Sequence, residues 1–342
     1  MRKQILVLLS SLVAASLICG FAEGESKRFV KEVIWRLGGK RYVSITRIDD
    51  SGVPVQHYSF AGPQRNPLFV AGQALSHLRR YERTGDEKDR QIAFNCVNWL
   101  VENAVQRGSY AIYEHAFAVP LYGLPPGWRS ALSQGFALLA ILRAYEMTGE
   151  DRYLVLSKRV LNAFSVEIAD GGITDKTESR GWWYEEYASE RVEPPRVLNG
   201  MISALFALQE YYESTGDERA KYLFDQGVLA LVDALPGYDK GGYSYYDREG
   251  HLSGGEYHKM HISQLDSLYK LTGVEVFRAY SQRWRTYYRL PIALQLILNP
   301  EFKRFVVFSG VFLLALLGFE AIIVLPFAWE RRHRSHRRDN GT

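Results

Sequence analysis

A short phrase that recurs four times along the chain constrains its fold more than any other feature. It reads Tyr-Glu-Arg-Thr-Gly-Asp at residues 81–86, returns with small changes at 145–150 and 212–217, and ends as Tyr-Lys-Leu-Thr-Gly at 269–273. Glycine just past a helix end supplies the left-handed position that closes the helix, and the acid that follows suits the first turn of the next helix. The phrase therefore predicts a helical hairpin of about 60 residues, repeated four times.

Apolar residues with helical spacing flank each copy of this phrase. They predict first helices over 68–83, 130–147, 197–214 and 262–271, and second helices over 90–102, 153–164 and 220–235. The first helices are richer in small and apolar residues, so we expect an inner layer wrapped by an outer one. Such hairpins form either an open solenoid or a closed ring, and the layering favours the ring, an (α/α) toroid. We also predict a strand over 42–48, and a β-hairpin or folded loop over 237–257.

Both ends of the chain have membrane character. An apolar run over 5–22 follows Arg2 and Lys3, which is typical of a signal peptide or an uncleaved anchor. A second run over 305–329 is long enough to cross a hydrocarbon core of about 30 Å, and five arginines follow it within 331–338. The positive-inside rule then predicts both termini in the cytoplasm and the body of the chain outside it. The expected domains are 1–24 (signal or anchor), 25–67 (extended or β entry segment), 68–299 (toroid), 305–329 (transmembrane helix) and 330–342 (basic cytoplasmic tail).

Charge and motifs exclude several functions. The net charge is +4, and the basic residues at the two ends account for more than that excess, so the body is near neutral. A near-neutral body is not typical of a nucleic-acid-binding protein, and none is expected as a partner. The two cysteines, Cys19 and Cys96, do not predict a structural disulfide. His258 and His261 lack a third ligand at usable spacing, so we expect no zinc site, and no phosphate loop or nucleophile elbow is present.

Polar side chains recur near the starts of the predicted inner helices. The amides are Gln73, Gln134, Asn199 and Gln264, and three arginines stand just ahead of these helices, Arg65, Arg129 and Arg196. In a ring of hairpins these helix starts share one face, where their partial positive charge favours a carboxylate. The loops before the third and fourth inner helices are rich in aromatic residues such as Trp183, which suit stacking on sugar rings. These features indicate an exported, membrane-tethered, carbohydrate-active protein with a site for an acidic sugar.

A series of motifs resembles one known family. They are Leu-Pro-Pro-Gly-Trp-Arg-Ser-Ala-Leu-Ser-Gln-Gly at 124–135, Trp-Tyr-Glu-Glu-Tyr at 183–187, Val-Leu-Asn-Gly at 197–200, Tyr-Asp at 246–247, Tyr-His at 257–258, His-Ile at 261–262 and Gln-Leu at 264–265. In this order they resemble the C-terminal α/α domain of the D-glucuronyl C5-epimerases that act on heparosan and heparan sulfate. The resemblance spans roughly residues 52–288. The large β-rich region that precedes this domain in the animal enzymes is replaced by a short segment, about 29–67, and Arg129 stands where the family usually has tyrosine.

The resemblance implies inversion at C5 of D-glucuronate within a polysaccharide to give L-iduronate, without a redox cofactor or catalytic metal. The family's catalytic residues fall on Glu186, Tyr187, Tyr246 and Tyr257. The expected substrate-binding residues are Arg248, Asn199, His261, Gln134, Arg129, Trp183 and Gln264. The identity of the uronic-acid polymer, a structural divalent cation and pairing as a homodimer stay open.

The chemistry suits these residue types. Loss of the C5 proton beside a carboxylate gives an enediolate-like species, which needs a neutralising environment such as Arg248, helix N-termini and amides. Inversion needs two proton-transfer groups on opposite faces of the ring, and tyrosine suits such a role when a cation lowers its pKa. We expect Glu186 and Tyr257 to form this pair, with Tyr187 and Tyr246 orienting the carboxylate. The alternatives are a uronate lyase and a non-catalytic glycan-binding protein; a glycosidase is disfavoured because Glu185 and Glu186 are adjacent.

Overall fold

The computed structural model describes residues 2–21, 45–176, 180–298 and 302–323. The chain divides into two compact units, one over 42–284 and one made of 1–41 together with 285–342. The described part of the entry segment, 45–67, thus belongs to the same unit as the hairpins, and residues 285–299, which we expected in the toroid, belong to the other. Expectations for 22–44 and 324–342, including the start of the first predicted strand and the basic tail, lie outside the described residues.

The first unit contains the four predicted hairpins. The inner helices are α2 (Pro67–Thr84), α4 (Ala131–Thr148), α6 (Leu198–Thr215) and α8 (Gly255–Thr272), and the outer helices are α3 (Glu87–Asn103), α5 (Asp151–Asn162), α7 (Glu218–Ala234) and α9 (Glu275–Arg285). Inner helices that follow one another in the chain pack side by side, and the first three outer helices pack on their own inner partners. The fourth inner helix begins seven residues earlier than predicted, at Gly255, because its first two turns carry polar residues that hide the apolar period.

The repeated phrase closes each inner helix as predicted. Gly85, Gly149, Gly216 and Gly273 have φ angles of 67–69°. Each of these glycines donates its N–H to the carbonyl of the phrase's tyrosine four residues earlier, at 2.7 or 2.8 Å. In two copies the next acid, Asp86 or Asp217, caps the outer helix with its side chain. The helix ends are therefore set by local sequence.

Short strands complete the first unit. An antiparallel sheet in the order β1-β2-β3 consists of Ile45–Ile48, Pro54–Tyr58 and Gly62–Gln64. Three two-stranded pairs join β4 (Val105–Arg107) to β5 (Tyr110–Ile112), β6 (Glu114–His115) to β7 (Trp128–Arg129), and β8 (Thr174–Asp175) to β9 (Trp183–Tyr184).

The segment over 237–257 takes the second of its two predicted forms, a folded loop rather than a β-hairpin. It follows the 3₁₀ turn Leu235–Tyr238 as a folded loop with two isolated antiparallel bridges, Asp239 to Ser244 and Tyr245 to Leu252. Gly241, Gly242 and Gly250 adopt positive φ angles, which turn the chain too often for a continuous strand ladder.

The second unit contains α1 (Arg2–Phe21), α10 (Ile292–Leu298) and α11 (Phe302–Ile323). Among the described helices, α11 alone has a stretch, Arg304–Ile322, that is long and apolar enough to cross a membrane; the apolar stretch of α1, Gln4–Cys19, is shorter. At the end of α1, Cys19 shares a cluster with Val307 and Phe308 at the start of α11. The two helices pack on one another, and this cluster shows that they run in opposite directions.

Candidate active site

A cavity of about 760 Å³ lies at the N-terminal halves of the four inner helices. Its walls come from all four of them, from the β1-β2-β3 sheet and the residues that join it to α2 (together called the entry sheet), and from the loops before α6 and α8. The lining residues central to its chemistry are Tyr58, Phe60, Asn66, His115, Trp128, Ser130, Ser133, Glu186, Tyr187, Asn199, Tyr246 and Tyr257. Among the described lining residues, Glu186 is the one ionisable carboxyl group and none is lysine or arginine. The predicted meeting of the helix starts therefore holds, with aromatic and hydroxyl groups rather than cations around the cavity.

The two adjacent glutamates after β9 have different environments. Glu185 is buried away from the cavity and accepts backbone N–H groups of Tyr187 and Arg196, both at 2.9 Å. These bonds hold Arg196 at a φ of 56°, a left-handed conformation that is uncommon for residues other than glycine. Glu186 lines the cavity and is 8% exposed. The expectation that the two carboxyls do not share one cleft is met, because Glu185 is used to fold the loop that presents Glu186.

Glu186 packs against the first turn of α6. A Cβ atom added at Gly200 would lie 2.7 Å from the Cβ of Glu186, so the glutamate occupies space that only glycine leaves open. The side-chain N–H of Asn199 lies 3.5 Å from Oε2 of Glu186. The N-terminus of a helix favours negative charge, which suits a carboxyl group at this place.

Three phenols continue from Glu186 around the cavity. Glu186, Tyr187, Tyr246 and Tyr257 lie close enough together for each to shift the pKa of its neighbours. The rings of Tyr246 and Tyr257 meet edge to face with centroids 4.8 Å apart. Tyr257 lies in the first turn of α8, and the carbonyl of Tyr246 accepts the N–H of Leu198 at the start of α6, at 3.0 Å. The four predicted catalytic residues thus lie together on the wall of one cavity.

Burial has the largest effect on the pKa values of these side chains. It raises the pKa of Glu186 to about 8, with a further contribution from the neighbouring Glu185 and an opposing one from the Tyr187 hydroxyl. The pKa of Glu185 is raised to about 7 by burial, against the lowering effect of the backbone N–H groups it accepts. Burial and then the Glu186 carboxyl raise the pKa of Tyr187, Tyr246 and Tyr257 above that of an ordinary phenol. At neutral pH Glu186 and the three tyrosines are therefore largely protonated.

The expected cations lie elsewhere. Arg248 does not line the cavity. Its guanidinium lies 5.8 Å from the centre of the Tyr238 ring, and its backbone N–H donates to the carbonyl of Pro195. Arg129 is buried and directs its guanidinium to the carbonyls of Gly172 and Ile168 and to the carboxylate of Glu190. Successive residues of a strand face opposite sides, so Trp128 lines the cavity and Arg129 faces the interior. A cation that could lower the phenol pKa is not part of the described lining.

Four other predicted substrate contacts are structural in this arrangement, and none lines the cavity. Trp183 is fully buried and stacks on Tyr238. Gln134 donates to the carbonyls of Ala111 and Val160, which ties β5 and α5 to α4.

Gln264 donates to the carbonyl of Asn199 and the hydroxyl of Ser203, so it connects α8 to α6 and supports Asn199 from behind. His261 is buried with Nδ1 2.9 Å from the hydroxyl of Ser244, and burial lowers its pKa to about 3. Helical spacing marks a polar residue on an inner helix without saying whether its side chain faces the cavity or a neighbouring helix. Of the predicted binding residues, Asn199 alone lines the cavity.

Several lining residues were not predicted. His115 lies on β6, stacks on Trp128 with centroids 3.6 Å apart, and has Nε2 3.2 Å from the hydroxyl of Ser133. Burial lowers its pKa to about 3, so the imidazole is neutral. Trp128 and Ser130 flank Arg129 within the motif at 124–135, so the sequence could have indicated that they belong to the site. His115, Tyr58 and Phe60 lie in segments without a repeat or motif.

The described residues contain no group of three or more histidine, cysteine, aspartate or glutamate side chains arranged to hold a metal ion. His258 and His261 both approach the hydroxyl of Ser244, which lies 2.8 and 2.9 Å from their Nδ1 atoms.

Known proteins resemble this chain in both sequence and fold. The family model described as D-glucuronyl C5-epimerase C-terminus matches residues 106–286. An uncharacterized protein of Methanocaldococcus jannaschii is 31% identical over 261 residues, which cover 70% of this chain and 84% of that protein. A D-glucuronyl C5-epimerase of Caenorhabditis elegans is 28% identical over 221 residues, 59% of this chain but only 35% of the nematode protein.

Solved structures of sugar epimerases share the fold. A sugar epimerase from a ruminal bacterium superposes with a TM-score of 0.53 at 12% identity, over 82% of this chain and 75% of its own. The cellobiose 2-epimerase of Spirochaeta thermophila gives 0.52 at 14% identity, over 82% and 74%. At such low identity these likenesses concern the helical architecture alone, whereas the family match contains Glu186, Tyr187, Tyr246 and Tyr257. The chain therefore belongs to the D-glucuronyl C5-epimerase family and is, by that membership, an epimerase of carbohydrates.

Proposed function

We propose that this protein inverts C5 of D-glucuronate residues within a polysaccharide to give L-iduronate. The observation that carries the proposal is that Glu186, Tyr187, Tyr246 and Tyr257 all border one cavity. The reaction needs a base and an acid that reach the same carbon from opposite faces, and Glu186 and Tyr257 supply these groups. A single carboxyl group among the described lining residues does not suit a glycosidase, which uses two.

In the first step Glu186, as its carboxylate, removes the C5 proton. The C5–H bond breaks and its electron pair moves into the adjacent carboxylate, which becomes an enediolate. Because the pKa of Glu186 is about 8, roughly a tenth of the molecules carry this base at pH 7. A carboxylate with so high a pKa is a stronger base than an exposed glutamate, which suits a weak carbon acid.

In the second step Tyr257 donates its phenolic proton to the opposite face of C5. The new C5–H bond gives L-iduronate and leaves a phenolate on Tyr257 and a protonated Glu186. The proton then passes from Glu186 to Tyr187, from Tyr187 to Tyr246 and from Tyr246 to Tyr257, which restores the starting state. The raised pKa of Tyr257 keeps it protonated before the step and makes its phenolate a strong base for the reverse reaction.

Neutral donors stabilise the charge that develops on the substrate. Asn199, Ser130 and Ser133 line the cavity beside helix N-termini, and a buried site strengthens each of these dipoles. A largely protonated Glu186 also reduces repulsion of the incoming uronate, because the cavity then holds little negative charge before binding.

Incubation with a panel of uronic-acid polysaccharides in D₂O tests the proposal. We expect deuterium at C5 and L-iduronate signals in NMR spectra of the intact polymer. Glu186→Gln and Tyr257→Phe should abolish both, whereas Tyr222→Phe, a change on the exposed outer helix α7, should leave them unaltered. An unsaturated product absorbing in the ultraviolet would instead identify a lyase, and binding without exchange would identify a glycan-binding protein; either result overturns the proposal.

We also propose that α1 and α11 anchor the catalytic unit in a membrane as a two-helix hairpin, with both termini in the cytoplasm. Val7, Ser11, Ala15 and Cys19 form the buried face of an otherwise exposed α1. Small residues at such a seam allow close packing of membrane helices. Opposite helix directions bring both termini to one side, where the basic residues at the two ends follow the positive-inside rule.

Labelling of single introduced cysteines with a membrane-impermeant maleimide tests this topology. Val155→Cys, at an exposed position on α5, should be labelled in intact cells. Ser335→Cys, in the basic tail, should be labelled only after permeabilisation. The reverse pattern, or an N-terminus that lacks α1 in the membrane-extracted protein, would contradict the hairpin.

A further inference from the structure

The entry sheet supplies one wall of the catalytic cavity. Pro54, Tyr58, Phe60 and Asn66 all line it, and all precede residues 106–286, the part matched by the family model. This wall therefore lies outside the part of the chain that the family model matches. The sequence did not indicate that a segment this short would contribute to the cleft.

Phe60 is the most exposed aromatic residue of this wall. It lies in the turn between β2 and β3, where Tyr58 pairs with Gly62 and Gly62 takes a φ of 70°. The ring of Phe60 is 51% exposed although it borders a cavity. A large apolar side chain held open beside a polar site is typical of a surface that a ligand covers.

Phe60 and Tyr58 form a pair of adjacent aromatic rings, called the platform here, in which Tyr58 is held in place by packing and a hydrogen bond. The two rings are 5.4 Å apart, and Tyr58 stacks on the buried Phe117 with centroids 4.7 Å apart. The Tyr58 hydroxyl accepts a hydrogen bond from the side-chain N–H of Asn66 at 2.7 Å. The side-chain oxygen of Asn66 in turn accepts the backbone N–H of Leu68 and so caps α2. Tyr58 is thus fixed to both the aromatic core and the first inner helix, so binding a ligand here costs little side-chain entropy.

The charge of the cavity restricts what this platform can bind. The described lining residues include no lysine or arginine, so the cavity offers no ion pair to a sulfate group. Aromatic faces instead bind the apolar C–H faces of sugar rings. We propose that Phe60 and Tyr58 form a subsite for the sugar next to the reacting uronate, and that this subsite takes an unsulfated ring. The inference rests on the proposed epimerase function and names the part of the polymer that the enzyme recognises.

The kinetics of Phe60→Ala test this subsite. With an unsulfated glucuronate polymer we expect KM to rise about fivefold to tenfold and kcat to change less than twofold, because an aromatic contact is lost and the reacting groups stay in place. Phe60→Trp should restore the KM. The matched control is Tyr222→Ala, which removes an equally exposed ring, 50% against 51%, from outer helix α7.

Affinity electrophoresis in gels that contain the polymer measures binding independently of turnover. Phe60→Ala should be retarded less than the wild type and Tyr222→Ala should be retarded equally. Equal retardation of Phe60→Ala and the wild type would overturn the subsite even if the enzyme epimerises the polymer. Stronger binding of a sulfated than of an unsulfated polymer would overturn the preference for an unsulfated ring. Absence of C5 exchange with normal retardation of the wild type would refute the epimerase function and leave the platform in place.

Discussion

Gly200→Ala isolates the positioning of Glu186 from its chemistry. The substitution keeps Glu186 and the three tyrosines but fills the space against which the carboxyl packs. The added Cβ would lie 2.7 Å from the Cβ of Glu186 and 2.9 Å from its Cδ, whereas ordinary contacts of this kind begin at 3.4 Å. Since the nearest atoms include the Cβ of Glu186, rotation of the side chain alone cannot relieve the clash. The segment that carries Glu186 must move by about 0.7 Å, the difference between these distances.

A displacement of this size has a large expected effect on rate and a small one on stability. Misplacing a reacting group by about 1 Å costs about a hundredfold in rate, so we expect kcat to fall roughly 30- to 100-fold. Overpacking costs about 1–3 kcal/mol, and replacing glycine by alanine in a helix returns about 1 kcal/mol. The free energy of unfolding should therefore fall by about 0–2 kcal/mol, leaving a folded but slow enzyme.

The assay is the initial rate of deuterium incorporation at C5 in D₂O, combined with urea denaturation of the same samples. Gly135→Ala is the matched control, because its Cβ would meet the Cβ of Ala207 at 2.8 Å and would have no atom of Glu186 among its nearest neighbours. It should lose similar stability and keep kcat within about threefold of the wild type. If Gly200→Ala exchanged C5 as fast as Gly135→Ala, close packing against α6 would not be what positions Glu186.

Three further predictions concern ionisation and buried charge. The rate of C5 exchange should rise with pH and level off above about 8 as Glu186 ionises, and a flat profile from pH 6 to 9 would exclude this carboxylate as the base. Because Glu186 and Glu185 have a raised pKa in the folded protein, the unfolded chain releases their protons first; the free energy of unfolding should fall as pH rises from about 5 to about 8, and Glu186→Gln should flatten that slope in urea titrations. Arg129→Met should cost about 2 kcal/mol of stability, since it leaves the buried carbonyls of Gly172 and Ile168 without their donor, but KM should not change; a raised KM would assign Arg129 to substrate binding.

Local sequence predicted the hairpins well because the signals that define them are local. The closing glycines, the capping acids and the helical period of the apolar residues all act within a few residues of one another. The fourth inner helix shows the limit of this reasoning. Its first two turns, which carry Tyr257 and His261, lack an apolar period, so the sequence suggested a loop where the structure has a helix.

The candidate site was predicted unevenly for the same reason. The acid and phenols of the motifs at 183–187, 246 and 257 do converge on one cavity. Arg248, Arg129, Trp183, Gln134, Gln264 and His261 instead serve the packing of loops and helices. Each of these side chains has its partners on other segments, and a residue type within a motif does not specify the direction in which it points.

The sequence by itself determined the number of hairpins, where most helices end, the apolar character of both chain ends and the family to which the chain belongs. Tertiary structure alone decided that Trp128 rather than Arg129 faces the cavity, and that Glu185 is buried in the loop that presents Glu186. The physical reason is that adjacent residues of a strand or loop face opposite sides, and the choice depends on distant hydrogen-bond partners such as the carbonyl of Gly172, 43 residues from Arg129. The entry sheet became part of the site in the same way, because Tyr58 stacks on Phe117, far along the chain.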